Sequence, residues 1–312
     1  MAVKVAQEWL AICGGCEVTI LDLGEALLDI LPKLEFVHMP VLHDHKLFGQ
    51  AGDRANMEIP EADIGIISGS IHTEENEAVA KEMRAKCKML IAMGTCACFG
   101  GIPALRNLFT VPELFDNVYR DSVTTDKADN PKAELPPLTE RVMGVGEVVK
   151  VDLDLPGCPT PSDIFAEALT ALLSGAAFKL SDRSVCDECP TKREKKSAAG
   201  MVLKRPLQVI CQQGADLTQT PCFMEQGFLC QGPATRAGCG GKTKIARCIK
   251  AYMPCRGCFG PLGHEANPMV EMMGALSSVG FPAAQILDGT ATFNRFAGGE
   301  NRLRPRPPAK NK

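Results

Sequence analysis

The chain has 312 residues, of which 45% are hydrophobic and 23% are charged, and these values are ordinary for a globular protein. Its formal net charge is −3 and its isoelectric point is near 6.0, so no overall basic field favours binding to nucleic acid. A chain of this length can bury a sizeable core and is expected to form two domains.

The N-terminal sequence predicts a cytoplasmic protein. The first residues, MAVKVAQEWLAI, lack the basic region, apolar core and cleavage site of a secretory signal, and no twin-arginine signal precedes the domain. The longest uncharged run, Met89 to Leu105, is interrupted by glycine and proline and is too short for a membrane span. Since thiols persist in a reducing compartment, the fifteen cysteines indicate metal binding or catalysis rather than disulfides.

Strand-like and helix-like runs alternate over the first part of the chain. Strands are predicted at Val3–Ile12, Leu34–Met39, Ala62–Ile71, Met89–Met93 and Val151–Leu155. Helices are predicted from Glu17 to Leu31, from an N-cap at Thr73 to Cys87, and from an N-cap at Thr160, with Pro161 in the first helical position, to Gly175. This alternation predicts an α/β domain with a parallel sheet that is covered on both faces.

Four cysteines follow three of the predicted strands. Cys13 and Cys16 come after the first strand, Cys96 after the strand that begins at Met89, and Cys158 after the last strand. The carboxyl ends of parallel strands form the edge at which α/β sheets bind ligands, and the flanking glycines let backbone approach a bulky group closely. We therefore predict one thiolate site at this edge. The alternative is that Cys13, Cys16 and Cys158 are ordinary loop thiols.

The regular alternation is interrupted and then stops. Residues 106–146 form a polar, proline-containing insertion, which we interpret as a surface excursion. Beyond residue 175, Cys186 and Cys189 form a second C-x-x-C motif ahead of a basic run at residues 192–196, which is typical of a solvated loop or of a face for an acidic partner. A short strand is predicted at Leu207–Cys211, and a Met-rich helix is predicted to begin at Asn267 and Pro268.

The segment from Cys222 to Cys258 holds six cysteines in 37 residues, is rich in glycine and has no sustained helical or strand period. Such a segment buries too little apolar surface to order itself, so a group bound by thiolates is expected to hold it. Structural zinc favours compact knuckles with regular spacing. The irregular spacing here favours iron–sulfur clusters, which are held by four thiolates each, and leaves zinc as an alternative.

Taken in order, the cysteine motifs resemble those of one family. They are ICGGCE, SGSIHTEENE, MGTCACFGGIP, LPGCPTP, CFMEQGFLCQGPATRAGC and MPCRGC. Together they resemble the small, electron-transferring subunit of nickel–iron hydrogenases over nearly the whole chain. The resemblance is closest to the cytoplasmic archaeal, methyl-viologen-reducing type (gamma or G subunit) that associates with heterodisulfide reductase. It implies a flavodoxin-like domain at residues 1–178 with one 4Fe-4S cluster, and an irregular cysteine-rich domain at residues 179–312 with two.

The resemblance also implies which cysteines form each cluster site. The proximal set is Cys13, Cys16, Cys96 and Cys158; the medial set is Cys239, Cys248, Cys255 and Cys258; and the distal set is Cys186, Cys189, Cys222 and Cys230. Many relatives have histidine at the position of Cys186, and some have proline and a three-iron cluster at the position of Cys248. The cysteines here imply four irons in every cluster. Cys87 and Cys211 are expected to be structural, and Cys98 is not expected to be a ligand.

No catalytic residue is expected on this chain, because the family binds nickel and iron on a large subunit through two C-x-x-C motifs. The resemblance implies a one-electron relay from that subunit through the proximal, medial and distal clusters to a further electron-transfer subunit and a flavin-containing heterodisulfide reductase. Three alternatives are a small subunit of a deazaflavin-coenzyme-reducing hydrogenase, a single-cluster subunit like that of respiratory complex I, and a zinc-stabilised non-redox module. The cysteines from Cys186 to Cys258 count against the single-cluster subunit.

Overall fold

The computed structural model describes residues 2–43, 45, 57–194, 197–208, 215–281 and 283–307. The chain forms two compact units: the first is Met1–Pro156 with Ala297–Lys312, and the second is Gly157–Phe296. The segment that carries Cys158 therefore belongs to the second unit, together with the cysteine-rich region. The domain boundary at residue 178 remains a prediction from the sequence.

A parallel five-stranded sheet forms the centre of the first unit. Its strands are β1 (Val3–Trp9), β2 (Leu34–His38), β3 (Ala62–Ser68), β5 (Cys87–Met93) and β7 (Leu153–Leu155), and their order is β2-β1-β3-β5-β7. Counted among the sheet strands alone, this is the 2-1-3-4-5 order of flavodoxin-like folds. Two further strands, β4 (Ile71–Thr73) and β6 (Leu138–Met143), form an antiparallel pair. The predicted α/β fold with a parallel sheet is confirmed.

Short helices connect these strands and cover the sheet. The first unit contains α1 (Gly15–Leu21), α2 (Ala26–Ile30), α3 (Pro40–His43), α4 (Glu74–Lys86), α5 (Gly94–Phe99) and α6 (Val111–Phe115). The second unit contains α7 (Ser162–Leu173), α8 (Arg247–Lys250), α9 (Pro268–Ser278) and α10 (Gly289–Phe293). Within the described residues, no helix is long and apolar enough to cross a membrane.

Helix α4 begins where the sequence predicts. The Thr73 side chain accepts a hydrogen bond from the Asn76 backbone N–H at 3.2 Å, and the Asn76 Oδ1 accepts one from the Thr73 N–H at 3.3 Å. These reciprocal bonds satisfy two backbone donors that a helix N-terminus otherwise leaves without partners. The predicted start of α9 is confirmed too, because Asn267 caps that helix.

Several predicted elements differ from the structure. The predicted helix from Glu17 to Leu31 ends at Leu21, because Gly24 adopts a left-handed conformation with φ of 57°, and the chain resumes helix at Ala26. The N-cap of α7 is Pro161 rather than Thr160. Cys87 does not lie on a helix but begins β5. Pro206–Gln208 is a 3-10 turn instead of a strand, and Cys211 lies outside the described residues.

Each unit has its own hydrophobic core. In the first, residues from the sheet and α4 are fully enclosed, among them Ala6, Ile67, Met83 and Leu90, as expected for strands that are covered on both faces. In the second, the core contains Phe223, Phe228, Phe259 and Met272 together with cysteines of the cysteine-rich loops, namely Cys230, Cys239 and Cys255. These thiols are therefore part of the packing that holds the second unit together.

Candidate metal centres

Three of the four predicted proximal cysteines lie in the first unit, next to strand ends. Cys13 is exposed and Cys16 is buried, and both lie at the turn from β1 into α1. Cys96 is half-buried in α5, which directly follows β5. Gly101 lies against its sulfur: a Cβ at Gly101 would be 2.6 Å from the Cys96 Sγ. Cys158 is exposed and lies in the second unit, ahead of α7.

A buried polar network adjoins Cys16. The Glu17 carboxylate is only 3% exposed, and its Oε1 accepts hydrogen bonds from the Gln7 Nε2 at 3.0 Å and from the Ser68 hydroxyl. Sequence reasoning missed Gln7 and Ser68, because both lie inside strands and belong to no motif. This network fixes the first residue after Cys16 and thereby the orientation of the α1 N-terminus.

All four predicted distal cysteines line one cavity of about 130 Å³ in the second unit. Cys186 lies beside Cys189 and Cys222, and Cys230 lies beside Cys186 and Cys222. Burial raises the pKa of Cys186 to about 11 and that of Cys230 to about 12, because a thiolate loses its hydration there. Burial therefore favours the protonated thiols, and a bound metal cation would replace their protons.

Two polar side chains and one glycine complete this cavity. The Thr191 Oγ1 lies 3.1 Å from the Cys189 Sγ. Arg193 lines the cavity, and its side chain forms a hydrogen bond with Cys186. Gly232 lies opposite, and a Cβ there would be 3.0 Å from the Cys186 Sγ and 3.6 Å from the Cys230 Sγ. Sequence reasoning gave no role to Arg193, which it placed in a basic run typical of solvated loops.

The predicted medial cysteines also lie together. The thiols of Cys248 and Cys255 share a hydrogen bond, which lowers the pKa of Cys248 and raises that of Cys255. Cys258 lies beside Cys239 and Cys248, and burial raises its pKa to about 12. Backbone N–H groups face these sulfurs: Arg247 donates to Cys239, Arg256 to Cys248 and Gly257 to Cys255. Converging backbone N–H groups of this kind favour an anionic group.

Two hydrogen bonds join cysteines of different predicted sets. The Cys255 backbone N–H donates to the Cys230 Sγ at 3.2 Å, which links the medial and distal sets. The Cys158 backbone N–H donates to the Cys258 sulfur, which links a proximal cysteine to the medial set. The second unit thus arranges cysteines of the three sets in series, with the medial set in the middle.

The remaining described cysteines lie elsewhere. Cys87 belongs to the first core, where burial raises its pKa to about 11. Cys98 is 2% exposed, and its thiol donates to the Ala92 carbonyl oxygen at 3.3 Å. No disulfide joins any of the fourteen cysteines that the structure describes. In the same residues, no group of three His, Cys, Asp or Glu side chains has the spacing to hold a single metal ion.

Comparison with known proteins places the chain in a family. The family described as NADH ubiquinone oxidoreductase, 20 Kd subunit, matches residues 13–172. The vhu-type G subunit of the F420-non-reducing hydrogenase from Methanocaldococcus jannaschii is 40% identical over 297 residues, which is 95% of each chain. The iron-sulfur G subunit of the F420-non-reducing hydrogenase from Archaeoglobus profundus is 33% identical over 296 residues, which cover 89% of this chain and 88% of that one.

A solved structure agrees with this placement. One chain of an NAD+-reducing [NiFe]-hydrogenase in the H2-reduced state is 31% identical to this chain, with a TM-score of 0.50, and the match covers 57% of this chain and 94% of that one. Three findings agree on the family: the parallel sheet, the paired cysteines after β1, and the relatives that match nearly the whole chain. The chain belongs to the NADH ubiquinone oxidoreductase 20 Kd subunit family and, within it, to the G-type small subunits of nickel–iron hydrogenases, which serve electron transfer while the catalytic site lies on a partner chain.

Proposed function

We propose that this chain is a three-cluster electron relay of an F420-non-reducing nickel–iron hydrogenase. The proximal, medial and distal sets named above would each hold one 4Fe-4S cluster. The observation that carries this proposal is the pair of hydrogen bonds that join the sets in series, from Cys158 to Cys258 and from Cys255 to Cys230. Because each bond joins cysteines of two different sets, electrons would pass from the proximal set through the medial set to the distal set.

The donor atoms fit iron–sulfur clusters. A 4Fe-4S cluster held by four thiolates supplies a reversible one-electron carrier whose potential depends on hydrogen bonds to sulfur and on burial. In the medial set, backbone N–H groups already face Cys239, Cys248 and Cys255. In the distal set the thiols surround a cavity with an apolar lining that includes Val185 and Met224. The chain's own part is to exclude water and to fix the spacing of the carriers.

The same geometry favours clusters over the alternative of structural zinc. A zinc site requires four side chains that converge on one atom, whereas a 4Fe-4S cluster is held by four thiolates around a larger core. The distal thiols instead surround a space of about 130 Å³. A cavity lined by thiols suits a group that is larger than a single ion.

The large catalytic subunit is the expected partner of the first unit. Three apolar side chains in the segments that flank Cys13 and Cys16 in the sequence are exposed: Trp9 at 46%, Val18 at 53% and Leu21 at 53%. Exposed apolar side chains beside a functional site are candidates for a protein interface. The large subunit would cover them and place its metal centre near Cys13 and Cys16.

The electron acceptor is proposed from the relatives that cover most of this chain. They carry the name F420-non-reducing hydrogenase, which counts against the deazaflavin coenzyme F420 as the acceptor. The further electron-transfer subunit and heterodisulfide reductase are proposed from the resemblance of the cysteine motifs. The test is purification of the whole complex through a tag on this chain, followed by reduction under hydrogen. We expect hydrogen-dependent reduction of methyl viologen and of a heterodisulfide. Reduction of the deazaflavin coenzyme instead would overturn this branch of the proposal.

A further inference from the structure

The junction between the medial and distal sets is built from adjacent residues. The Cys255 N–H donates to the Cys230 Sγ at 3.2 Å. In the opposite direction, the N–H of the next residue, Gln231, donates to the Cys255 carbonyl oxygen at 2.9 Å. Two reciprocal hydrogen bonds therefore tie the loop of Cys230 to the loop of Cys255.

The Gln231 side chain reinforces this junction. It is 8% exposed, and its Nε2 donates to the Thr292 carbonyl oxygen in α10 at 3.3 Å. Its Oε1 packs so closely on Gly257 that a Cβ there would be 2.6 Å away, and Gly257 has a φ of 85°. Gly257 lies between Cys255 and Cys258. The buried Gln231 side chain thus contacts both the loop of the medial cysteines and α10, and Gln231 directly follows the distal cysteine Cys230.

The Gln231 backbone is fixed as well. Its carbonyl oxygen accepts a hydrogen bond from the Thr235 hydroxyl at 2.5 Å and one from the Ala234 N–H at 3.2 Å. With its N–H, its carbonyl and its amide nitrogen all engaged, Gln231 has little freedom to move. Ligands of a metal site are held in working geometry by residues of this kind, which are locked by packing and hydrogen bonds.

We propose that Gln231 is a positioning residue of the relay, which holds the Cys255 N–H against the Cys230 sulfur and so sets the electronic contact between the medial and distal clusters. The inference rests on the proposed function. The step that bound clusters would supply is the transfer of one electron, in which a medial cluster would lose the electron that a distal cluster gains. No bond is made or broken, and no proton is required.

Because glutamine is neutral, its role differs from that of a charge that tunes a potential. Removal of the side chain leaves the net charge around both clusters unchanged, so their midpoint potentials can respond only through the hydrogen bond from the Cys255 N–H to the Cys230 sulfur. The spacing of the two loops changes, because Gly257 loses its neighbour and α10 loses its hydrogen bond. We therefore expect removal of the Gln231 side chain to change the electronic coupling between the medial and distal clusters.

The experiment uses the complete complex, purified without oxygen, with Gln231→Ala and the control Gln226→Ala. Gln226 lies on the same loop, and its Nε2 donates to the Pro221 carbonyl oxygen at 2.7 Å. The readouts are the magnetic interaction between the reduced medial and distal clusters in EPR, and the rate of distal reduction after mixing with hydrogen. For Gln231→Ala we expect full iron content, a weakened interaction and slower distal reduction. The control is expected to behave as the wild type.

Other results would contradict this role for Gln231. Full iron content with a wild-type interaction and rate in Gln231→Ala would overturn the inference. If that variant loses iron, Gln231→Met decides, because methionine keeps the volume without polar atoms; loss of distal iron there too would mean a role in cluster binding and would also overturn the inference. Missing iron–sulfur signals in the unsubstituted complex would contradict the proposed function itself, which separates the two failures.

Discussion

Gly232 faces the sulfur of Cys186, and a Cβ at this position would lie 3.0 Å from that Sγ. The methyl group of Gly232→Ala would therefore enter the distal cavity. Because Gly232 does not have a positive φ, alanine fits its backbone conformation, and only the contact with the sulfur is tested. We expect this variant to lose the distal cluster alone, that is, about four of roughly twelve irons per chain. Iron analysis and the EPR signal of the distal cluster measure the loss.

Gly274→Ala is the matched control for this prediction. Gly274 lies in α9, and a Cβ there meets no atom within 4 Å. The Gly274→Ala variant should retain all the iron, and its free energy of unfolding should rise by up to about 1 kcal/mol because alanine has a better helix propensity than glycine. Full iron content in Gly232→Ala would show that the distal cluster does not occupy the cavity lined by Cys186 and Cys230.

Arg193 places a positive charge beside the thiols of the predicted distal set. Its side chain bonds Cys186 and lies near Cys222 and Glu225. Arg193→Met should lower the midpoint potential of the distal cluster by about 60 mV. Loss of the hydrogen bond and the positive charge would destabilise the reduced cluster, relative to the oxidised one, by ~1.4 kcal/mol. Redox titration followed by EPR measures this shift. Arg193→Lys keeps the positive charge and should shift the midpoint potential less than Arg193→Met does.

Lys192→Met serves as the control, because Lys192 is the preceding residue and its Nζ lies 3.9 Å from Glu194 rather than in the cavity. An equal shift in Lys192→Met and Arg193→Met would mean that net surface charge, and not the contact with Cys186, sets the distal potential.

The success of sequence reasoning in the first unit has a physical basis. The strands are short apolar runs, and glycine and capping residues mark their ends, so the parallel sheet and the start of α4 at Thr73 could be predicted. The break after Leu21 could not, because the run from Glu17 is apolar enough for one helix and the turn depends on the single left-handed Gly24. Cys87 was misplaced because its neighbours fit a helix face as well as they fit a strand.

In the second unit, spacing alone did not group the cysteines. The loops have no period, and Cys186 meets Cys230 only through the packing of distant segments. The resemblance supplied the grouping, which stays a prediction. The structure places the four predicted distal cysteines around one cavity, and Cys258 beside Cys239 and Cys248. Arg193, Gly232 and Gln231 carried no sequence signal, because their positions follow from three-dimensional contacts and not from a motif.

His72 makes the first unit sensitive to acid. Burial, assisted by the nearby Arg106, lowers the pKa of His72 to about 4. Because the folded-state pKa lies below the unfolded value, the stabilisation is complete above about pH 6.5 and is lost as the pH falls through 4. We expect the thermal midpoint of the complex to drop over this range, and His72→Gln to reduce the drop. His43→Gln, at an exposed position, should leave it unchanged; a wild-type drop in His72→Gln would contradict this account.

The content of metal and sulfide in the native complex, purified without oxygen and examined by low-temperature EPR after reduction, tests the three-cluster relay most directly. The account predicts about twelve irons and twelve acid-labile sulfides for this chain, with interacting 4Fe-4S signals. A three-iron signal in the oxidised complex would remove Cys248 from the medial set and leave the relay intact. About four irons, or zinc without iron, would contradict the relay.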